Sequence, residues 1–434
     1  MTFFVLALLN LAAPFIVLGV ILKFLLSSRR GLLRDLPGEI NERLGGISEE
    51  ALAKLAGRPV LWVHVASAGE VAAVDEFLRQ LHARPDAPAI LLTTMTQAGK
   101  EAAGRLAQVD AACLAPVDSW PTVSRFLRKV RPYALILVET ELWPNMIALS
   151  TRAGLRVGMV NARISDRSFP RYRFIACFLR PFLRRLERVA AQTEVGAQRL
   201  AALGVASQAV MVVGNMKYDR LKVRGDDRGR LELQRLGWQD FPLFVVGSTH
   251  PVEEEMLIQA FLEVRRQIKD LKLVLAPRHV ERSDAAAESL SRLGVRFARL
   301  GVPQDAGEAL LVDTMGWLSS FYACADVAFV GGSLVPVGGH NLLEPAAFGK
   351  PVIFGPHTAH ARQAAASLQS CGGGFEVADA SALAVTLGRL LTQPSLAKEC
   401  GRKAQDMVHR LQGATGRTLA HLSPILTPGR VQRT

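Results

Sequence analysis

The stretch Val60–Ala73, VLWVHVASAGEVAA, places an apolar run directly before a turn of small residues and a helical pattern. The run Val60–Val65 predicts a buried strand, and the apolar periodicity that follows, up to His82, predicts a helix. Ser67 and Glu70 have the Ser-x-x-Glu spacing of a capping box, in which the glutamate closes the first helical turn. A carboxylate at such a strand-to-helix turn can equally face a substrate. The stretch therefore leaves two interpretations of Glu70, a helix cap or a catalytic group.

Strand and helix patterns alternate through the rest of the chain. The candidate strands are 60–66, 89–94, 133–139, 156–162 and 208–215, followed by 241–248, 271–277, 309–314, 326–333 and 350–356. This alternation is the signature of parallel, doubly wound sheets. A charged, glycine-containing segment, 222–230, separates the two series. We therefore expect two consecutive α/β units, with ligands bound beside the carboxyl ends of the strands.

The composition is that of a folded, strongly basic protein. The chain has 434 residues, of which 49% are hydrophobic and 21% charged, and its formal net charge is +13. This charge favours an anionic partner, such as nucleic acid, an acidic membrane surface or a phosphorylated substrate, although a generally basic proteome would give the same value. The five cysteines are scattered without a Cys-x-x-Cys pair, which argues against a disulfide framework and a structural zinc site.

The amino-terminal segment 1–28 predicts an uncleaved membrane anchor. Residues 3–26 are apolar except for Asn10 and Lys23, and as a helix they would span about 36 Å. Arginines follow directly, which places the rest of the chain on the cytoplasmic face. A cleaved signal peptide and a monotopic anchor are the competing interpretations.

Polar residues and glycines cluster where the predicted strands end, which is the edge at which such proteins display their sites. Those in the first series are Ser67, Gly69, Glu70, Glu139, Glu141, Arg163 and Lys217. Those in the second series are Ser248, Thr249, Arg278, His279, Gly331, Gly332, Ser333, Asn341 and Glu344. Paired carboxylates fit acid–base work, and lysine or arginine fits a leaving phosphate. The alternative for each is an ordinary solvated turn or, for Asn341 and Glu344, a helix cap.

Two further features bear on ligands. The glycine loop 331–357 offers backbone amides for an anion, but it is neither Gly-x-Gly-x-x-Gly nor a Walker loop. The segment 167–189 interleaves arginines with phenylalanines, which fits an anionic membrane or a phosphorylated lipid and equally an amphipathic helix with an aromatic core face. RNA binding is less consistent with an anchor, so we expect no nucleic-acid partner. The pair His357 and His360 lacks further ligands, so no metal is expected.

The collected motifs resemble those of the 3-deoxy-D-manno-octulosonic acid (Kdo) transferase family of lipopolysaccharide assembly. They occur in the family's order and span nearly the whole chain. They are ASAGE (66–70), TTMTQAGKE (93–101), ETELWPN (139–145), NARIS (161–165), GNMKYD (214–219), STHPVEEE (248–255), LAPRHVER (275–282), DTMG (313–316) and FVGGSLVPVGGHNLLEPAAFGKPVIFGPHT (329–358).

The resemblance implies an α/β enzyme of GT-B type with two Rossmann-like doubly wound domains, an acceptor domain at 29–220 and a CMP-Kdo domain at 221–434. It implies an inverting transfer of Kdo from CMP-Kdo to lipid IVA at the anionic inner-membrane surface, with no cofactor and no metal. Glu70 would be the base, and Glu139 and Lys217 would assist the transition state.

The family's CMP contacts correspond to nine positions, which are Pro277, Arg278, Met315, Gly316, Trp317, Asn341, Leu342, Leu343 and Glu344. Relatives often have glutamate where Trp317 stands, which alters nucleotide binding if that contact uses the side chain. Two alternatives remain: a GT-B enzyme that uses another nucleotide sugar, and a non-catalytic membrane scaffold. The number of Kdo residues transferred, the acyl-chain preference and the oligomeric state are not encoded legibly in the sequence.

Overall fold

The computed structural model describes residues 36–221, 226–302 and 307–428. The expected anchor at 1–28 lies outside these residues. Within the three described ranges, no helix is both long and apolar enough to cross a membrane.

The chain divides into two compact units, one formed by residues up to Arg220 together with those from Gln412 onward, the other by Leu221–Leu411. The first unit contains α1 (Leu36–Arg43), α2 (Glu49–Leu55), β1 (Val60–Val65), α3 (Ala68–His82), β2 (Ala89–Thr94), α4 (Gln97–Gly104), β3 (Ala111–Leu114), α5 (Trp120–Val130), β4 (Ala134–Val138), α6 (Pro144–Arg152), β5 (Arg156–Ala162), α7 (Phe169–Phe174), α8 (Ala176–Leu183), β6 (Arg188–Ala191), α9 (Glu194–Leu203), β7 (Val210–Val212) and, near the carboxyl terminus, α18 (Ala414–Leu426).

The second unit repeats the same alternation. Its elements are α10 (Arg228–Arg235), β8 (Leu243–Thr249), α11 (Glu253–Arg265), β9 (Lys272–Pro277), α12 (Ser283–Arg292), β10 (Phe297–Arg299), β11 (Ala309–Leu311), α13 (Leu318–Cys324), β12 (Val327–Val330), α14 (Leu343–Ala347), β13 (Val352–Phe354), α15 (Arg362–Cys371), β14 (Gly374–Glu376), α16 (Ala380–Thr392) and α17 (Pro394–Leu411). Short 3₁₀ turns, among them Met216–Arg220, connect several of them.

Each unit is built on one seven-stranded, parallel sheet. The strand orders are β3-β2-β1-β4-β5-β6-β7 and β10-β11-β9-β8-β12-β13-β14. Helices cover both faces of a parallel sheet, so its strands are near-continuous apolar runs, and every residue of β1 and of β4 is buried. The predicted α/β doubly wound class is confirmed.

The strand order reverses between β1 and β4 in the first sheet and between β8 and β12 in the second. At such a point the following helices leave on opposite faces and open a crevice beside the carboxyl ends of the strands. Glu70 follows β1 and Glu139 follows β4, so the topology brings these two carboxylates to the same crevice.

The end of the chain packs differently from the expected domain 221–434. Residues from Gln412 onward belong to the first unit, because the apolar face of α18 covers its sheet. Leu422 and Ile425 of α18 are fully buried, and the helix packs on β5 and β6. Gly158 of β5 leaves room for this helix, since a Cβ there would lie 2.9 Å from Ile425 Cδ1.

Candidate functional site

Glu70 lies in the first turn of α3, and its carboxylate folds back on the turn. Its Oε2 accepts a 2.7 Å hydrogen bond from the backbone N–H of Ala66, and its Oε1 lies 3.5 Å from Ser67 Oγ. Ser67 occupies the N-cap position, but its side chain makes no capping hydrogen bond. The predicted capping box is therefore not formed, because Ser67 does not cap the helix and Glu70 accepts from the residue before the N-cap. Gly69 leaves open space beside this carboxylate, since a Cβ there would meet only Ser67 Oγ, at 3.8 Å.

The environment of Glu70 raises the pKa of its carboxyl. Burial raises the pKa of this carboxyl above its usual value, and the charges of Glu139 and Glu141 raise it further. The hydrogen bond from Ala66 and the charge of Lys217 oppose this rise. A carboxyl whose pKa moves toward neutrality is a better general base than an ordinary surface glutamate.

A second carboxylate, Glu139, is held between two cations. Its Oε1 lies 2.8 Å from Lys217 Nζ, and its Oε2 lies 3.3 Å from Arg163 Nε. The Glu139 side chain is 9% exposed, whereas those of Lys217 and Arg163 are 43% and 54% exposed. The structure thus brings together three residues that were predicted from separate motifs, and both cations keep an accessible side.

A chain of amide side chains fixes the segment that carries Lys217. Asn161 Oδ1 accepts from the N–H of Met216, and Asn215 Oδ1 accepts from the N–H of Lys217. Gln192 links the two asparagines, since its Nε2 donates to Asn161 O and its Oε1 accepts from Asn215 Nδ2. The sequence analysis missed Gln192 and the role of both asparagines, and their only signal was position at strand ends.

Backbone strain marks the same edge. Glu139 has a φ of 58° and Asn161 a φ of 52°, in the left-handed region that side chains with a Cβ seldom adopt. Ser248, near the end of β8 in the second unit, also lies in this region, with a φ of 58°. Non-glycine residues in this region concentrate at functional sites, where surrounding contacts hold them.

Glu141 has a different environment from Glu139, which it follows by two residues. Its Oε2 accepts a 2.6 Å hydrogen bond from Trp143 Nε1 and lies 3.5 Å from Nε2 of the fully buried His64. His64 Nδ1 in turn lies 3.0 Å from Thr93 Oγ1. Trp143 is half-buried and packs on the core.

In the second unit a buried glutamate occupies the crevice between β8 and β12. The Glu253 carboxylate accepts hydrogen bonds from the N–H groups of His250, Gly332 and Leu334. The N–H of Gly331 donates to Gly247 O, and Ser333 Oγ donates to Val330 O. The amides of Gly331 and Gly332 are therefore already hydrogen bonded within the protein, which disfavours the expectation that they bind an anion.

The rings of His250 and His340 face each other through their Nε2 atoms. Their Nε2 atoms are 2.8 Å apart, the ring planes differ by 6° and the ring centroids are 5.1 Å apart. One Nε2 must donate and the other accept, so at least one ring is neutral. Burial lowers the pKa of His340 to about 4 and also lowers that of His250, with neighbouring histidine and arginine charges acting in the same direction.

The resemblance assigns three groups of residues to the nucleotide. They lie at the end of β9, after β11 and at the start of α14. Pro277 ends β9, and the N–H of Arg278 donates to Thr249 O, which keeps the Arg278 backbone beside β8. Thr249 Oγ1 donates to Glu254 Oε1. His279 follows Arg278 and stands edge-on to the His250 ring, with centroids 6.0 Å apart.

The residues after β11 present both side chains and backbone. Met315 is 68% exposed, and Gly316 has a φ of 85°. Trp317 is engaged on both sides, since the Arg228 guanidinium lies 4.9 Å from its ring centroid and Phe321 packs against it at 6.2 Å. The indole therefore has structural partners of its own.

The segment Asn341–Glu344 opens α14. Asn341 Oδ1 accepts a hydrogen bond from the N–H of Leu343, but the N-cap position is Leu342, which has no side-chain cap. Leu342 and Leu343 are buried, and Glu344 lies in the first turn and is partly exposed. Only the two ends of this segment present polar side chains to a ligand.

The basic, aromatic segment 167–189 contains α7 and α8. Some of its aromatic side chains are buried and others are exposed. Phe182 is buried in the core, whereas Phe174 is 87% exposed and Phe178 is 46% exposed. Arg171 and Arg173 of α7 are also exposed. The segment is thus a core helix pair that leaves an apolar and basic surface. Among the described residues, no group of three His, Cys, Asp or Glu side chains is arranged to hold a metal ion.

Comparisons with known proteins show the family of the chain. The family model of "3-deoxy-D-manno-octulosonic-acid transferase (kdotransferase)" matches residues 38–220. The 3-deoxy-D-manno-octulosonic acid transferase of Haemophilus influenzae is 33% identical over 372 residues, which are 84% of this chain and 87% of that protein. The enzyme of the same name from Bordetella pertussis is 34% identical over 391 residues, 87% of this chain and 89% of that protein.

Solved structures show the same fold at low identity. A UDP-GlcNAc 2-epimerase from Neisseria meningitidis has a TM-score of 0.56 at 14% identity and covers 84% of this chain and 100% of its own. A glycosyltransferase from Rickettsia africae has a TM-score of 0.54 at 12% identity and covers 86% of this chain and 100% of its own. These likenesses establish the α/β GT-B fold. The identities of a third or more to whole transferases establish more: the chain belongs to the 3-deoxy-D-manno-octulosonic acid (Kdo) transferase family and is a glycosyltransferase.

Proposed function

We propose that the enzyme transfers Kdo from CMP-Kdo to a sugar hydroxyl of lipid IVA, with inversion, and that Glu70 is the general base. The arrangement of Glu70 beside the Glu139–Lys217 pair carries this proposal. Glu70 has one carboxylate oxygen bound to Ala66 N–H and the other close only to a serine hydroxyl. That second oxygen is free to accept the proton of an attacking hydroxyl.

Positive charge develops on the donor sugar and negative charge on the departing phosphate during such a transfer. The Glu139 carboxylate would stabilise the positive charge on the sugar. The Lys217 ammonium, held 2.8 Å from that carboxylate, would stabilise the negative charge on the phosphate. Because Arg163 contacts the other oxygen of Glu139, the pair stays in position when substrate displaces water. These are electrostatic roles that need no covalent intermediate.

The second unit supplies the proposed nucleotide site. We assign the CMP moiety to Pro277 and Arg278, to Met315–Trp317 and to Asn341–Glu344. Arg278 supplies a cation for the phosphate, and Glu344 supplies a carboxylate for the ribose diol. Since the indole of Trp317 is held by Arg228 and Phe321, we expect this stretch to contact the nucleotide through backbone groups.

A lipid acceptor and an anionic inner-membrane surface suit the exposed surface of α7 and α8. Phe174 and Phe178 offer apolar contact, and Arg171 and Arg173 offer charge to phosphates. The net charge of +13 acts in the same direction. We place the anchor at 1–28 and the catalytic units on the cytoplasmic face.

Mass analysis of lipid IVA after incubation with the enzyme tests the proposal. With CMP-Kdo we expect products heavier by whole Kdo residues, and with UDP- or GDP-sugars we expect unchanged lipid IVA. Glu70→Gln is the matched control, because its amide oxygen can still accept from Ala66 N–H. Transfer only from a UDP- or GDP-sugar, or undiminished transfer by a folded Glu70→Gln variant, would contradict the donor or the base.

A further inference from the structure

The second unit contains a cavity of about 670 Å³ at the edge opposite its crevice. Leu243 at the start of β8, Asp326 immediately before β12 and Pro351 immediately before β13 line it. These are the amino ends of the strands, so the cavity faces away from the edge assigned to the nucleotide. A volume in this range accommodates a ligand the size of a nucleotide or a drug.

Lys350 is the unusual group in this wall. Its backbone N–H donates to Pro345 O, but among the described residues its side-chain ammonium has no hydrogen bond or ion pair. Burial lowers its pKa below the usual lysine value, and the nearby Asp326 offsets only part of that effect. Asp326 Oδ2 accepts a 2.8 Å hydrogen bond from the N–H of Leu243, so this carboxylate is already committed to the backbone. An ammonium group taken from water without a counter-charge is destabilised, and an anion in the cavity would relieve this.

The other charged residues that line the cavity are two cations and one carboxylate, and one side of the cavity is apolar. Its other cations are Arg230, whose Nη2 lies 3.0 Å from Asp227, and Lys398 in the second turn of α17. Asp240 is the further acidic lining residue. The first turn of α17 contains no acidic residue, so its amino-terminal dipole adds to the positive field. The apolar side consists of Leu233, Trp238, Leu390 and Leu391.

We propose that this cavity binds a small phosphate monoester with an apolar or aromatic body, that Lys398 and the amino terminus of α17 hold the phosphate, and that Lys350 lies beside the bound molecule. A lysine and a helix amino terminus suit a doubly charged head group, and the leucines suit the body. The proposal concerns a second ligand site on the enzyme and does not depend on the donor or acceptor assigned above.

Pyridoxal 5′-phosphate is a probe with both properties, since it has a phosphate and an aromatic aldehyde. The neutral amine of Lys350 attacks the aldehyde carbon, water leaves and an imine forms. Borohydride then delivers hydride to the imine carbon and gives a stable secondary amine that peptide mass spectrometry locates. A lysine whose pKa is lowered has a larger neutral fraction at pH 7, and a phosphate held in the cavity keeps the aldehyde beside the amine. We therefore expect the full-length enzyme to be labelled several-fold faster at Lys350 than at the exposed Lys54, which is paired with Glu50.

Competition and variants complete the test. Inorganic phosphate should slow labelling of Lys350 and leave Lys54 unaffected. Lys398→Met should slow labelling of Lys350 by weakening the hold on the phosphate, whereas Lys54→Met should not change it. Circular dichroism and retained Kdo transfer confirm that the variants fold. Labelling of Lys350 at the rate of Lys54, or the absence of protection by phosphate in the wild-type enzyme, overturns the proposal.

Discussion

The Glu70 carboxylate accepts a 2.7 Å hydrogen bond from the backbone N–H of Ala66, four residues earlier in the chain. This contact closes the turn between β1 and α3 and also orients the carboxylate. One oxygen is committed to the backbone, and the other lies beside Ser67 Oγ at a distance of 3.5 Å. The hydrogen bond from Ala66 therefore positions the proposed base.

Glu70→Gln should separate the two roles. The amide oxygen keeps the bond from Ala66, so the fold persists, but the amide cannot accept a proton. We expect transfer to fall by about 10²- to 10⁴-fold, the usual contribution of a general base. Steady-state rates with CMP-Kdo and lipid IVA measure this, and Ser67→Ala is the control that should change the rate far less. A loss below tenfold would assign Glu70 to closing the turn alone.

Glu70→Gln should lower the rate of transfer without lowering the stability of the fold at pH 7. Burial raises the pKa of Glu70 in the fold, so the folded state disfavours the ionised carboxylate. The stability associated with this carboxyl is complete below its unfolded pKa and is lost as pH rises through the folded pKa. We expect the melting temperature of Glu70→Gln to equal or exceed that of the wild type at pH 7, with the advantage disappearing toward pH 4. A destabilised variant at pH 7 would contradict the assigned burial.

The pH dependence of transfer should also show the raised pKa of Glu70. The acid limb of kcat/KM reports the ionisation of the base in the free enzyme. Because burial and the charges of Glu139 and Glu141 raise the pKa of Glu70, this limb should lie above the usual glutamate value of about 4.3. Glu141→Gln removes one of the two charges and should shift the limb to lower pH. A limb at or below the ordinary value would exclude Glu70 in this environment as the titrating group.

Lys217 and Glu139 should act as a coupled pair. Their 2.8 Å contact means that removal of either leaves the other without its partner. We expect Lys217→Met and Glu139→Gln each to reduce kcat/KM strongly, and the double variant to lose less than the sum by about 1–3 kcal/mol. Arg220→Met is a matched cation control nearby, since its Nη2 lies 4.0 Å from Asp75 rather than Glu139. Additive losses would show that the two groups work independently.

The sequence predicted most of the strands but not the full extent of the two sheets. Ten of the fourteen strands were expected, and the four missed, β3, β6, β10 and β14, have only three or four residues each. Short strands of this kind have no usable periodicity, and pairing with longer neighbours defines them. The contact of the Gly332 N–H was not predicted for a different reason, because its acceptor, Glu253, comes from a distant segment. Such long-range satisfaction of a buried donor leaves no mark in a local motif.

The last expected feature to be revised was the carboxyl-terminal boundary, and it gives a direct test. Asp219 accepts hydrogen bonds from the N–H groups of Gly413, Ala414 and Thr415, so it caps α18 from within the first unit. Asp219→Ala should destabilise the first unit by about 0.5–2 kcal/mol, as loss of a helix cap does. Ile425→Ala, which empties a fully buried position against β5, should destabilise it by about 2–5 kcal/mol.

Denaturant unfolding of the full chain, followed by hydrogen exchange resolved to peptides, distinguishes the units. Faster exchange should appear in β5 and β6 of the first sheet, where α18 packs, while β8 and β9 of the second sheet keep wild-type protection. Val385→Ala is the control, because that side chain is 68% exposed and its truncation should leave stability nearly unchanged. If Ile425→Ala instead loosened β8 and β9 alone, α18 would belong to the second unit, as the sequence first suggested.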